Sequence, residues 1–352
     1  MIFYILLVIV VVCLFLVANK YPSSEKVISL TLLGIMILIG GFRDSIGWDY
    51  RSYTIWYLNG TRDDGLEFGF LAIMKMFRYL NLDYHFLFFF FSFFTYIFAY
   101  LGIRKYTKNI SLPLVLYVLI PVFFLYSFCF IRQFLSVTIA FYAFSFLLER
   151  KYLFYFLLMF VGISIHYSCI IPFVVFLVVF KWGNLIKNYH LYVLMGLSFI
   201  MSQIGFIHCL VTLFKNSHYL YYVSGKFVHS VPLLKLLAIN SMGCLVINYY
   251  NKYRFHNPNQ KYLLLLYICS ILFLNVFSES SDLTRLYIYF RIFEIILVAE
   301  IIYALLFNKR FWLIAFISCF YLFPFFRAIK IDFETAPKNS KMIPYKSILL
   351  KI

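Results

Sequence analysis

The feature that most constrains this chain is its repeated alternation of apolar runs with short charged turns, clearest between Ile131 and Pro172. Ile131-Arg132-Gln133 opens a nearly uninterrupted apolar run to Leu148, and the turn Glu149-Arg150-Lys151 follows. A second run from Tyr152 to Ile165 ends at His166-Tyr167-Ser168. As helices, runs of about 14–17 residues extend roughly 21–25 Å, short of the roughly 30 Å of a bilayer core. Such a hairpin returns to the depth at which it began. Arg132 and His166 are therefore expected together, recessed at one membrane surface, with the 149–151 turn at the other. Polar groups at that depth are costly and mark a site.

Composition fixes the class. Of 352 residues, 64% are hydrophobic and 13% charged, which predicts an all-α, polytopic helical transmembrane protein. No polar stretch is long enough for a separate soluble domain, so residues 1–352 read as a single integral membrane domain, and a nucleotide-sugar-binding layer is excluded. The net charge of +17 would suggest nucleic acid in a soluble protein. Here it follows the bias of Lys and Arg toward cytoplasmic loops, and no nucleic-acid partner is expected. The seven cysteines stand singly in apolar segments without a CxxC pair, so neither a disulfide framework nor a zinc site is expected. The N-terminus lacks a basic n-region and a cleavage site, so the first apolar run reads as a retained span.

About 12 spans are expected, near residues 2–18, 26–42, 84–103, 112–127, 132–148, 152–165, 167–180, 190–207, 231–249, 261–277, 286–307 and 311–326. One alternating set of loops carries Lys20, Lys26, Arg104, Lys105, Lys108, Arg150, Lys151, Lys181, Lys187, Lys252, Arg254, Lys261, Lys309 and Arg310 against Glu25 and Glu149 alone. The positive-inside rule makes that set cytoplasmic and the N-terminus external. The other set includes a net acidic loop with Arg43, Arg51 and Arg62 against Asp44, Asp49, Asp63, Asp64 and Glu67. Phe68 to Leu80 then reads as a short amphipathic helix, so that 43–83 forms an outer loop plus interfacial helix. The basic tail over 327–352 fits poorly with an external location. No internal repeat of the transporter kind is evident.

Unusual polar residues converge on the expected outer face, where a cavity is predicted: Arg43, Asp44, Asp49 and Tyr50 after the second span, Arg132 and Gln133 opening the fifth, His166, and Asp282 and Arg285 at the eleventh, which also carries Arg291 and Glu294. Arginines gathered at one cavity suit phosphate, because guanidinium binds its oxygens bidentately and keeps its charge when desolvated. A pyrophosphate at a membrane surface is most simply a lipid diphosphate. Each residue also has a plainer reading. Arg43 and Asp44 fit an interfacial pair, Arg132 a snorkelling side chain, and His166 an ordinary interfacial histidine. Arg291 and Glu294, three residues apart on one helix, fit a mutually neutralising pair. His208, His218 and His229 lack metal-ligand spacing and read as surface residues.

The combination is more specific. The stretch Gly41-Phe42-Arg43-Asp44-Ser45-Ile46-Gly47-Trp48-Asp49-Tyr50-Arg51-Ser52-Tyr53, followed by Glu67-Phe68-Gly69-Phe70, resembles the first outer loop of the EpsG/Wzy family of polysaccharide polymerases. So do Ile131-Arg132-Gln133-Phe134-Leu135, the Arg150-Lys151 turn, His166-Tyr167-Ser168, and Thr284-Arg285-Leu286 through Tyr289-Phe290, with a weaker echo at Ile343-Pro344-Tyr345-Lys346. The resemblance covers most of the chain in order and leaves about residues 185–260 without a diagnostic feature.

The resemblance implies glycosyl transfer outside the bacterial cytoplasmic (inner) membrane, joining undecaprenyl-diphosphate-linked oligosaccharide repeat units into O-antigen, capsule or exopolysaccharide. Membrane lipids and a chain-length regulator are the implied partners; no cofactor and no metal are expected. Arg43, Arg132, Gln133, Arg285 and Arg291 are assigned to the donor pyrophosphate. His166, Asp44 or Asp49 would activate the acceptor hydroxyl, with Arg132 counted in the catalytic set. Tyr50, Tyr53 and Glu294 are assigned to sugar. A polysaccharide ligase with the same donor chemistry, a lipid-linked oligosaccharide flippase or transporter, and a membrane acyltransferase remain as alternatives. The gathering of polar residues at one end disfavours transport.

Overall fold

The computed structural model describes residues 1–60, 65–206, 231–253, 259–337 and 340–350. These are helices and loops, with one isolated antiparallel bridge, Arg43 to Ser347, and no strand among the described residues. Seven helices among them are long and apolar enough to cross a membrane; Tyr152–Ile165 and Gln260–Val276 are apolar but shorter. The chain is therefore a multi-pass membrane protein. The expected twelve runs recur as helical segments, but several are not continuous spans. The run at 112–127 breaks into Ser111–Leu119 and Phe124–Ser127 around Pro121, and the run at 286–307 breaks between Ile288–Arg291 and Glu294–Phe307. Apolar content sets where a segment sits, whereas local breaks decide whether one helix traverses it.

The described chain divides into two compact units, one formed by Met1–Cys169 with Ile302–Ile352, the other by Ile170–Ile301. The first holds α1 (Ile2–Lys20), α2 (Glu25–Gly41), α3 (Tyr50–Asn59), α4 (Phe68–Tyr79), α5 (His85–Tyr106), α6 (Ser111–Leu119), α7 (Phe124–Ser127), α8 (Ile131–Leu148) and α9 (Tyr152–Ile165). Helix α8 lies between α5 and α9, and α2 packs on the far side of α5. At one end Glu149 accepts from Lys105 at 2.8 Å and Lys151 at 2.7 Å. Glu25 accepts the backbone N–H groups of Ile110 and Ser111 at 2.6 and 2.7 Å, satisfying donors that the start of α6 leaves unpaired. Lys20, Lys26, Arg104, Lys108 and Arg150 belong to this same end.

The other end of the unit is built on aromatic stripes. Tyr50, Tyr53 and Tyr57 recur at helical spacing on α3, Phe70, Met74 and Phe77 on α4, Leu87, Phe88 and Phe91 on α5, and Ile131, Leu135 and Ile139 on α8. Together they form one buried cluster, so the four helices hold one another by their apolar faces. Helix α4 does have the expected one-sided burial, although Phe68, Met76 and Tyr79 on its open side are exposed and apolar.

The last long helix of this unit, Phe311–Thr335, runs nine residues past the expected limit of 326. The basic tail then turns back. Residues 340–350 lie across the loop after α2, with Asp44 N–H donating to Lys346 O at 3.0 Å, Ile348 N–H to Phe42 O at 2.9 Å and Gly47 N–H to Ser340 O at 3.0 Å. Asp332 ties both segments of this arrangement, accepting Trp48 Nε1–H at 2.9 Å and Met342 N–H at 2.7 Å. The tail thus shares the end of the unit that carries Arg43.

The second unit holds α10 (Ile170–Trp182), α11 (Asn188–Gln203), α12 (Leu233–Tyr253) and α13 (Gln260–Val276), the last three joined through amides and hydroxyls. Asn188 bonds to Asn251, and Tyr192 Oη–H donates to Asn248 at 2.8 Å. Deeper in, Asn275 donates to Ser198 at 2.9 Å and exchanges hydrogen bonds with Asn240. In an apolar medium such contacts hold helices that gain little from hydrophobic burial. His208, His218 and His229 lie outside the described residues.

Candidate functional site

Arg132 and His166, expected at one depth, are joined by a third residue. Glu67 precedes α4 and is buried; its Oε1 accepts His166 Nδ1–H at 2.6 Å, while Oε2 takes a close ion pair from Arg132 Nη1. Arg132 sits in the first turn of α8 and His166 caps the end of α9, so the α8–α9 hairpin supplies two corners and the start of α4 the third. Gly69 allows this approach. A Cβ there would lie 2.4 Å from Ser164 Oγ and 2.8 Å from Ser164 O, so only glycine lets α4 meet the end of α9.

The Arg132 guanidinium is further held by aromatic faces, 5.1 Å from Phe70, 5.5 Å from Trp56 and 5.7 Å from Tyr53. Its Nε–H points to Tyr53 Oη at 3.5 Å. Burial pushes the Tyr53 hydroxyl up to about 12, against the opposing charge of Arg132. For Glu67, burial alone would raise the carboxyl; the His166 hydrogen bond and the Arg132 charge outweigh it and hold the group below the usual carboxylate range. Glu67 is thus an anion shared by a permanent cation and an imidazole. With Nδ1–H committed to Glu67, the neutral ring presents Nε2 as its basic nitrogen, the tautomer-fixing arrangement of catalytic histidines.

Arg43 has a different setting from the one expected of a pyrophosphate ligand. It is fully buried and makes four hydrogen bonds, to Gly40 O, to Ser92 Oγ at 3.0 Å, to Ile46 O at 3.3 Å and to Phe128 O at 3.2 Å. Phe88 and Phe128 lie over it at 5.3 and 5.2 Å. It ties the end of α2, the following loop, α5 and the turn before α8 together, and no face of it is open to a ligand. Gly47 completes that junction with φ of 112° and would place a Cβ 2.2 Å from Phe128 O.

Asp44 is buried and accepts from Ser45 Oγ at 3.0 Å; His85 Nε2 lies 3.7 Å from it. Its nearby imidazole is therefore His85 rather than His166. Asp49 is half-buried at the start of α3, where its carbonyl accepts Tyr53 N–H at 3.0 Å. Tyr50 stacks on Phe88 at 4.0 Å, and Tyr53 packs edge-on to Trp56 and Phe70, so both rings expected to meet sugar are engaged within the protein. Gln133 is buried beside Arg132.

Arg285, Arg291 and Glu294 belong to the second unit. Arg285 pairs with Asp282 at 3.2 Å, and Arg291 Nε–H with Glu294 at 2.7 Å, the latter pair buried next to the helix break. No group of three His, Cys, Asp or Glu suited to a metal ion occurs among the described residues.

Glu67 and His85 were not singled out as site residues from sequence. The signal for Glu67 was its place in the Glu67-Phe68-Gly69-Phe70 block; nothing local links it to residues 65 and 99 positions away.

A multi-pass helical membrane protein carrying an Arg–Glu–His constellation centred on a buried glutamate is the class defined by these observations. The chain belongs to the EpsG family, which matches residues 26–347. Membership points in general terms to a membrane polysaccharide polymerase with glycosyltransferase-like chemistry. No curated protein and no solved structure matches the chain.

Proposed function

We propose that this protein is a Wzy-type polymerase that joins undecaprenyl-diphosphate-linked repeat units outside the cytoplasmic membrane, at the Arg132–Glu67–His166 site. The Glu67 bridge carries this reading, because it fixes a cation and a basic imidazole nitrogen on one carboxylate. The outward orientation is supported by the positive charge at the opposite end of the same unit. A passage of twelve membrane-inserted segments, with short and broken helices counted, is part of the same reading.

In the reaction, an acceptor sugar hydroxyl attacks the anomeric carbon of the donor glycan. The new glycosidic bond forms as the bond to the lipid diphosphate breaks. His166 Nε2 takes the hydroxyl proton, and the imidazolium is stabilised by Glu67. Arg132 Nη2, which makes no hydrogen bond among the described residues, stabilises the charge gathering on the departing diphosphate. Asp44 with His85 is the second candidate for proton transfer.

The test is deletion of the gene in its host, complemented with wild type or His166→Ala, with surface polysaccharide and extracted lipid-linked glycans compared on one gel. Loss of long polymer with persistence of single repeat units is expected in the deletion and in the His166→Ala strain. Long polymer accumulating on undecaprenyl diphosphate would make the chain a ligase, and unaltered polymer in the variant would make His166 structural.

A further inference from the structure

The second unit contains an open cavity of about 500 Å³ that has no part in the reading above. Its wall comes from the α10–α11 connection and the start of α11 (Asn184, Lys187, Asn188), the end of α12 (Tyr250, Asn251) and the start of α13 (Lys261). Its volume falls within the range of roughly 300–1,000 Å³ usual for small-molecule sites.

We propose that this cavity binds a phosphate-bearing polar headgroup. Two lysine amines line it, and among the described residues that line it none is acidic. Lys252, one residue beyond the wall, adds to the same positive potential. The wall is already ordered. Lys261 Nζ donates to Asn184 O at 2.9 Å, Asn184 Nδ2 donates to Tyr262 Oη at 2.8 Å, and Asn188 bonds Asn251. Lys261 is therefore held in place before a ligand arrives, with N–H groups in reserve for a phosphate oxygen, while exposed Lys187 supplies a second, adjustable cation. Helices α11 and α13 both begin at this wall, and the partial positive charge of their first turns adds to the attraction for an anion. The asparagine amides and Tyr250 offer hydroxyl-matching donors and acceptors around that charge, which suits glycerol or sugar hydroxyls next to a phosphate. A basic pocket between membrane helices at a surface is the recurring setting for anionic lipid headgroups.

The cavity is separate from the arginines of the same unit. Lys261 opens α13 and Arg285 follows its other end, and the 17 residues of that helix place them at opposite ends, about 25 Å of helix apart.

The same chemistry is offered by a lipid in the bilayer and by a soluble phosphate ester, and one experiment separates them. Purified full-length protein in detergent is titrated with phosphatidylglycerol and with phosphatidylcholine under native mass spectrometry, and with glycerol 3-phosphate by calorimetry. Phosphatidylglycerol is expected to bind in preference to phosphatidylcholine, and Lys187→Gln with Lys261→Gln to weaken it about tenfold or more. Glycerol 3-phosphate binding as tightly, with the same lysine dependence, assigns the site to a soluble ligand. Should the double variant fail to fold, Lys187→Gln alone decides, since its side chain is exposed and a loss of about threefold is expected from one surface cation. Binding that ignores the lysines, or equal retention of the neutral lipid without phosphate ester binding, overturns the proposal.

Discussion

The regions around Arg43 and Arg132 start from similar material and reach different ends. Both are part of one unit and both guanidiniums lie against aromatic rings, Arg43 fully buried and Arg132 half-buried. Arg43 spends its hydrogen bonds on backbone carbonyls and one serine hydroxyl, all neutral. Arg132 meets a carboxylate that is shared with a histidine. A buried cation ringed by carbonyls is a fastening, since every partner is fixed by the backbone. A half-buried cation balanced by a shared anion can trade charge with an incoming group, and that is what a reactive site requires. The same residue type therefore gives opposite answers to the question of function, and the partners decide.

Several changes would break or sharpen this contrast. The largest expected effect is Arg132→Ala, which should lower polymer formation by about 100-fold or more, the loss typical of removing a charge-stabilising donor. Membrane-inserted protein should stay at its normal level. Depleted protein in that variant would make Arg132 a fastening like Arg43. The converse is expected of Arg43→Met. It orphans the carbonyls of Ile46 and Phe128, while Gly40 O keeps the Ser92 hydroxyl, a cost of about 2 kcal/mol or more, to be read as a fall in melting temperature and abundance. A folded but inactive Arg43→Met protein would return that arginine to the catalytic set.

Gly69→Ala should come next. The added methyl collides with Ser164 and forces α4 from α9, costing about 1–3 kcal/mol and lengthening the Glu67–His166 contact. Unchanged activity would show that the bridge tolerates displacement. The smallest effect is pH-dependent. Glu67 is held below the ordinary glutamate value of about 4.3, so its stabilisation is complete above that value and drains away as pH falls through the lower folded one. Wild type should melt above Glu67→Gln at neutral pH, and the two curves should converge below about pH 4. A constant gap down to pH 3 would remove Glu67 as a charged partner.

Some of this was legible in the sequence and some was not, for separable reasons. The α8–α9 hairpin was readable because a charged turn punctuates two apolar runs, and the expected 132–148 and 152–165 agree with Ile131–Leu148 and Tyr152–Ile165. The common depth of Arg132 and His166 followed from those lengths alone. Glu67 was hidden because its contacts span long separations, and a one-dimensional pattern records only spacing along the chain. The breaks near residues 120 and 292 have local marks, Pro121 in one and the flanking Arg291 and Glu294 in the other, but hydropathy averaged over a span carries on through a helix that does not. The tail misled in the opposite sense, since its basic charge said nothing of the backbone pairing that holds it on the loop after α2.

That pairing has a consequence in time. Residues 42–48 leave the ribosome about 300 residues before the strap at 340–350 that closes over them. At about 5–20 residues per second, the loop leading into α3 waits roughly 15–60 seconds for its last backbone partners. Until then Tyr53 and the aromatic floor beneath Arg132 rest on an unfinished support. A nascent chain can thus insert its helices early, yet complete the support of α3 only once residues 340–350 have emerged, and a product terminated before them would sit in the membrane without it.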